Sequence, residues 1–201
     1  MPSGRSIAAF AVKFLVIYGA LAASWPLCEW AYAFFVRESG KVLFDAVGAR
    51  GHVNILAAAS PDGMKDTVLS VRVGTAGHAL QIRVSSWLIG FQPTSLLIGL
   101  VLATPVSARR RVWALFAGLV MVHAFMLARL MTFMILVDSG VMAPLVLPDT
   151  FWTKALWWSV FDFLHGPSVS CFVPVLIWIA VTMRREDARR LVGSTPKKVT
   201  A

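Results

Sequence analysis

Arg129 and His165 are the residues of this chain whose chemistry is hardest to explain as packing. Arg129 stands inside an apolar run. Inserting an arginine at the middle of a membrane helix costs about 2.5–3.5 kcal/mol, so such a residue usually faces other helices or a water-filled cavity. His165 follows Asp162 by three positions, a spacing that places both side chains on one helix face. A carboxylate beside an imidazole orients it and strengthens it as a base, so this pair could transfer protons.

Structural interpretations of these residues stay open. Arg129 would reach the lipid headgroups with its charged end, or pair with a structural carboxylate. His165 would cap the start of a helix at Gly166. His123 lies six positions before Arg129 and therefore points in a different direction on the same helix, as expected of a packed polar residue. Ligation of a cofactor by His123 or His165 within a larger complex also stays open.

Other chemical motifs are missing from the sequence. Its two cysteines, Cys28 and Cys171, fit neither a disulfide framework nor a metal cluster. The sequence contains no phosphate loop, dinucleotide fingerprint or zinc-type spacing. We therefore expect no metal and no cofactor.

The composition indicates a membrane protein. The chain has 201 residues, of which 58% are hydrophobic and 14% charged, whereas soluble domains are about 45–50% apolar and about 25% charged. The net charge of +9 comes largely from Lys and Arg beside apolar runs, as the positive-inside rule describes. The expected partner is therefore the lipid bilayer, with the basic tail near anionic lipid, and not a nucleic acid.

The apolar runs predict an all-α polytopic membrane bundle. We expect about four transmembrane helices, amphipathic helices at the interface and a small outer β-hairpin. A signal peptide is the alternative for the first run, but Lys13 interrupts its apolar centre. The predicted membrane domain covers 1–183, with spans at about 7–23, 86–106, 112–137 and 165–183, an outer segment 25–85 that holds the hairpin 67–84, and a basic cytoplasmic tail 184–201.

Charge asymmetry predicts the orientation. Lys and Arg outnumber acids in the N-terminus, the 107–111 loop and the tail, and do not in the remaining connections. The positive-inside rule then places both termini in the cytoplasm of a bacterial-type inner membrane. In this orientation Leu88, Arg129 and His165, which belong to three different spans, all lie toward the outer leaflet.

The order of these features resembles the exosortase/archaeosortase family of membrane-embedded sorting enzymes. That family has an outer hairpin, a V-x-x-x-C-x-G segment opening a span, a basic loop, a span with an arginine and a last span opened by a histidine. Val84 and Gly90 fit the first motif, and 100–105 precedes the triple arginine as the family's span end does. Arg129 fits the arginine and His165 the histidine. The resemblance implies that these residues belong to a site at the outer face.

The position of the family's cysteine nucleophile is occupied by Leu88. Leucine cannot attack a carbonyl, whereas a thiolate can. We therefore expect a non-catalytic binding or assembly component that acts on exported proteins. One alternative is an active protease or transpeptidase of related fold in which Ser86, Cys28 or a bound water replaces the nucleophile. Another is a small structural subunit of a larger membrane complex, whose partners are other membrane subunits.

Overall fold

The computed structural model describes residues 4–47, 53–62, 65–73, 78–137 and 166–183. The predicted tail 184–201 lies outside the described residues, as do Asp162 and His165. The elements are, in chain order, α1 (Gly4–Ala23), α2 (Trp25–Ala46), β1 (Val53–Asp62), β2 (Lys65–Val73), β3 (His78–Val84), a π-helical turn (Trp87–Phe91), α3 (Gln92–Ala103), α4 (Ala108–Val137) and α5 (Pro167–Thr182).

Helix α3 is the centre of the helical part, with α1, α4 and α5 packed around it. An apolar helix without a polar face is stable only when it is buried on most sides. Leu97 and Val101 of α3 accordingly form a buried cluster with Ala114 and Val122 of α4 and with Ile177 of α5. The cluster holds together the helices that carry the candidate site.

The strands form one antiparallel sheet in the order β1-β2-β3. β2 and β3 pair from Thr67 opposite Val84 to Val73 opposite His78, in the region where the sequence predicts a hairpin. The sequence analysis missed β1, which pairs with the other edge of β2 and places Val53 opposite Val71.

The sheet packs against α2 and α4 through a second buried cluster. Ile55 of β1 and Leu69 of β2 meet Phe44 of α2 and Leu130 of α4 in this cluster. Gly40 permits the approach, because a Cβ atom there would collide with the end of the Ile55 side chain. The sheet is therefore fixed to the half of α4 that contains Arg129.

The prediction of four membrane spans is wrong for the residues that the structure describes. By length and composition, one helix segment can cross a membrane, Ala108–Thr132 of α4. A second arises only if Ile7–Ala23 and Trp25–Ala46, which meet at an angle of 71°, count as one broken span. The apolar helices Trp87–Ala103 and Ser168–Thr182 are shorter, at 10–17 residues, whereas a helix that crosses a membrane needs about 20 residues.

Two extended residues explain why these helices are shorter than the apolar runs. Thr104 has ψ of 130° and ends α3 before Pro105. Gly166 has ψ of 144° and starts α5 at Pro167. The sequence predicts one or two amphipathic helices at the interface over 25–48, and the described part of this range, 25–47, contains the one helix α2.

The 104–111 segment joins the end of α3 to the start of α4. Arg111 donates to the carbonyls of Thr104 and Val106, both at 3.4 Å. Arg110 donates to the carbonyl of Thr182, at the end of α5. The two arginines thus satisfy main-chain carbonyls at or just beyond the ends of helices, where no helical N–H is available.

Candidate functional site

The site is built around a carbonyl that its own helix cannot satisfy. In the π-helical turn, the N–H of Gln92 donates to the carbonyl of Trp87, five residues earlier. The residue that would donate to Leu88 in the same pattern is Pro93, which has no N–H. A buried carbonyl without a donor costs free energy, so other parts of the chain must supply one.

Arg129 and Ser170 supply the missing donors. The Nη1 atom of Arg129 lies 3.3 Å from the carbonyl oxygen of Leu88 and 2.8 Å from the Oγ atom of Ser170. The Ser170 hydroxyl in turn donates to the Leu88 carbonyl at 3.0 Å. The π-helical turn, α4 and α5 are thus joined at one point by three hydrogen bonds.

Arg129 is enclosed by protein and does not lie at the surface. Only 2% of the residue is exposed, and its guanidinium carbon lies 5.7 Å from the centre of the Phe125 ring. A buried cation is tolerated when it has hydrogen-bond acceptors and, often, an aromatic face beside it. Arg129 therefore faces the bundle, as expected of an arginine within an apolar helix. The buried position of Arg129 argues against the alternative in which its charged end reaches the lipid headgroups.

Leu88, whose carbonyl contacts Arg129, is itself 39% exposed. The position that the family resemblance assigns to a nucleophile is therefore at the surface, while its backbone carbonyl contacts Arg129. Leucine gives this surface no nucleophile, acid or base. The arrangement can bind an apolar group there, and it cannot break a bond through residue 88.

Ser86 points away from Arg129, toward the sheet. Its hydroxyl is 3.2 Å from that of Thr67, and its N–H donates to the Asp66 carboxylate at 3.1 Å. All three residues are buried. Asp66 on β2 therefore satisfies the buried N–H of Ser86, while the Ser85 hydroxyl accepts from the N–H of Leu88 at 3.3 Å within the turn itself. The interpretation of Ser86 as a substitute nucleophile at the arginine site is not supported by these contacts.

Gly90 has a packing role in the structure. A Cβ atom at Gly90 would lie 2.7 Å from the Tyr32 hydroxyl and 2.8 Å from the Met126 sulfur. The missing side chain lets α2 and α4 close around the π-helical turn. The Tyr32 hydroxyl also forms a hydrogen bond of 3.2 Å with the Thr94 hydroxyl, which fixes α2 to the start of α3.

Of the remaining sequence candidates, the two that the structure describes, His123 and Cys28, make their contacts elsewhere. His165 and Asp162 are outside the described residues, although Ser170 follows His165 by only five positions. The Nδ1 atom of His123 forms a hydrogen bond of 2.7 Å with the Leu119 carbonyl of its own helix, which agrees with a packed polar residue. The Cys28 thiol donates to the Ser24 carbonyl at 3.3 Å. Among the residues that the structure describes, no group of three or more His, Cys, Asp or Glu side chains could hold a metal ion.

Sequence reasoning missed Ser170 and Asp66. Ser170 had a signal, because it is a hydroxyl inside an apolar run and such residues bond across helices. Ser85-Ser86 had another, because serines just before an apolar segment mark a helix start that needs a cap. Ser85 accepts locally, from the N–H of Leu88. Asp66, which accepts from the N–H of Ser86, lies 20 positions before it, and no local pattern connects those two.

Comparison with known proteins gives no relative. No protein-family model, no curated protein and no solved structure matches the chain.

Proposed function

We propose that the chain is an exosortase-like, non-catalytic membrane protein that binds or helps to assemble exported proteins at the outer face of the membrane. The observation that carries the proposal is the convergence on the Leu88 carbonyl. The residue in the place of the family's cysteine contacts the residue in the place of its arginine, 41 positions away. The third member, Ser170, is in the helix that the family opens with its histidine.

The chemistry of the site supports a binding role. Covalent catalysis of the family's type needs a nucleophile near a base, at about 2.6–3.2 Å. The Leu88 side chain has no nucleophilic group, and the Ser86 hydroxyl is buried beside Thr67. The exposed leucine instead offers an apolar contact beside a rigid, hydrogen-bonded turn, which suits recognition of a polypeptide segment.

The surface of α4 supports the membrane part of the proposal. Only 33% of the most apolar window of Ala108–Thr132 is buried inside the protein. The core helix of a soluble protein would be mostly buried, because exposed apolar surface in water favours association. Large apolar residues remain on the outside of α4, namely Val112, Trp113, Phe116, Val120 and Met121. A bilayer would cover this surface.

Photo-crosslinking in the bacterial inner membrane tests the proposal. Benzoylphenylalanine replaces Leu88 in the full chain, and Met121 in the control, because the two residues are similarly exposed at 39% and 44%. We expect Leu88→benzoylphenylalanine to form adducts with exported proteins and the control to form none. Adducts with cytoplasmic proteins only, or the same adducts from both positions, would overturn the proposal.

A second function is favoured by the exposed face of α2. Leu27 is 90% exposed and Trp30 77% exposed, and the Trp30 ring stacks on Phe34 with centroids 6.0 Å apart. Such a stripe fits a subunit of a larger membrane complex, where another subunit would cover it. Photo-crosslinking with benzoylphenylalanine in place of Trp30 tests this function. An adduct with one membrane protein, together with no adduct from Leu88→benzoylphenylalanine, would favour the subunit over the exported-protein binder.

A further inference from the structure

The cavity between α2 and β1 opens on the edge of β1. It has a volume of about 260 Å³ and is lined by Lys41, Phe44 and Asp45 of α2 and by the consecutive residues 53–56 of β1. Successive side chains of a strand point to opposite faces of its sheet. Residues from both faces of β1 therefore line this cavity together, as they do where a cavity extends around the edge of a strand to its main chain.

This edge is the one that β2 does not occupy. Within the described part of the chain, β1 pairs with β2 on its other side, in the register that sets Ile55 opposite Leu69. A free strand edge offers main-chain N–H and carbonyl groups to another strand. Proteins usually protect such edges with Lys, other charges or Pro, and 53–57 contains none of these.

The cavity has an apolar floor and a polar rim. Phe44, Val53 and Ile55 are buried, while Lys41, Asp45 and Asn54 are exposed. The volume of about 260 Å³ is enough to admit an apolar side chain. A strand laid against β1 would point alternate side chains toward the floor and toward solvent.

We propose that β1 binds an extended segment of a partner polypeptide as an added strand, with one apolar side chain of that segment in the cavity. Main-chain hydrogen bonds would supply affinity and the cavity would supply selectivity. The inference rests on the proposed function for the source of the segment, an exported polypeptide, and names the form in which it is bound.

Amide hydrogen exchange of the full chain in nanodiscs is the first test. The probe is a peptide of about eight residues, alternately Thr and Val with a Lys at each end. Alternate amides of 53–57 should exchange fast in the free protein and slowly with the peptide. Protection of all these amides without the peptide would overturn the inference, because the chain itself or a second copy would then cover the edge.

Fluorescence anisotropy of the labelled peptide is the second test. A peptide with the same side chains but with every backbone amide N-methylated should not bind. Leu56→Lys should weaken binding of the original peptide about fivefold, and Val42→Lys, an exposed change outside the cavity lining, should leave it unchanged. Equal binding of both peptides, or equal effects of both substitutions, would overturn strand addition.

The two proposals fail separately. Peptide binding that survives while Leu88→benzoylphenylalanine yields no exported protein would overturn the proposed function and leave strand addition standing. If exported proteins are crosslinked at Leu88 but the peptide does not protect the amides of 53–57, strand addition is overturned and the proposed function stands.

Discussion

The Nη1 atom of Arg129 lies 3.3 Å from the carbonyl oxygen of Leu88. Leu88 and Arg129 belong to different helices, and the contact exists because Pro93 cannot donate to that carbonyl. A charged side chain within an apolar helix thus has a defined structural task, whatever else it does. The same contact joins the surface at Leu88 to the interior of the bundle.

Arg129→Leu should destabilise the protein by about 2–3 kcal/mol, because hydrogen bonds from a charged donor are worth about that much and the Leu88 carbonyl would lose one. Ser170→Ala should cost less, about 1 kcal/mol, since Arg129 still reaches the carbonyl. Thermal unfolding in detergent measures both. Ala128→Leu, an exposed change next to Arg129, is the control and should be nearly neutral. Equal stability of Arg129→Leu and wild type would show that the contact contributes nothing.

Pro93→Ala should rescue part of the loss caused by Arg129→Leu. Alanine restores an N–H five residues after Leu88, so the π-helical turn can satisfy the carbonyl itself. In a double-mutant cycle we expect a coupling energy of about 1 kcal/mol in the direction of rescue. Strictly additive effects of the two substitutions would contradict the explanation of the site by Pro93.

Gly90→Ala should destabilise the protein by about 1–3 kcal/mol through overpacking, because a Cβ atom would lie 2.8 Å from the Met126 sulfur. Gly19→Ala is the matched control, since a Cβ atom at Gly19 meets nothing within 4 Å. It should be neutral or stabilise α1 by up to about 1 kcal/mol. Thermal unfolding of the two variants, side by side, checks the prediction. A smaller loss for Gly90→Ala than for Gly19→Ala would refute it.

Asp66→Ala should cost about 1–3 kcal/mol, because the buried N–H of Ser86 would lose its acceptor. Asp66→Asn keeps an oxygen that can accept from the Ser86 N–H, which Asp66 now does at 3.1 Å, so its loss should be smaller. Chemical denaturation compares the pair. If both variants unfold alike, accepting the Ser86 N–H is not what Asp66 contributes to stability.

Local patterns in the sequence were enough for some elements and not for others. The long apolar run with Arg129 predicted the membrane-capable part of α4, and β-rich segments around a Gly-containing turn predicted the region of β2 and β3. β1 was missed, because Asn54-Ile55-Leu56-Ala57 does not alternate clearly between apolar and polar residues. Its place depends on pairing with β2 and packing on α2.

The error in the number of spans has a physical cause. Hydropathy measures how apolar a run is, whereas the length of a helix depends on where the backbone leaves the helical conformation. Thr104 and Gly166 are extended, and both adjoin apolar runs that hydropathy alone would continue. The meeting of Leu88, Arg129 and Ser170 was likewise beyond local patterns, since it joins positions 41 or more apart.

The proposed function requires exported polypeptides to reach the surface at Leu88, and therefore requires that surface to face the outside of the cell. Labelling with a membrane-impermeant maleimide tests this in full-length chains whose Cys28 and Cys171 are replaced by Ser. We predict that Leu88→Cys is labelled in intact spheroplasts. Ser107→Cys, an exposed position in the basic 107–111 segment before α4, should be labelled only after the membrane is opened. Labelling of Ser107→Cys but not Leu88→Cys in intact spheroplasts would contradict the account.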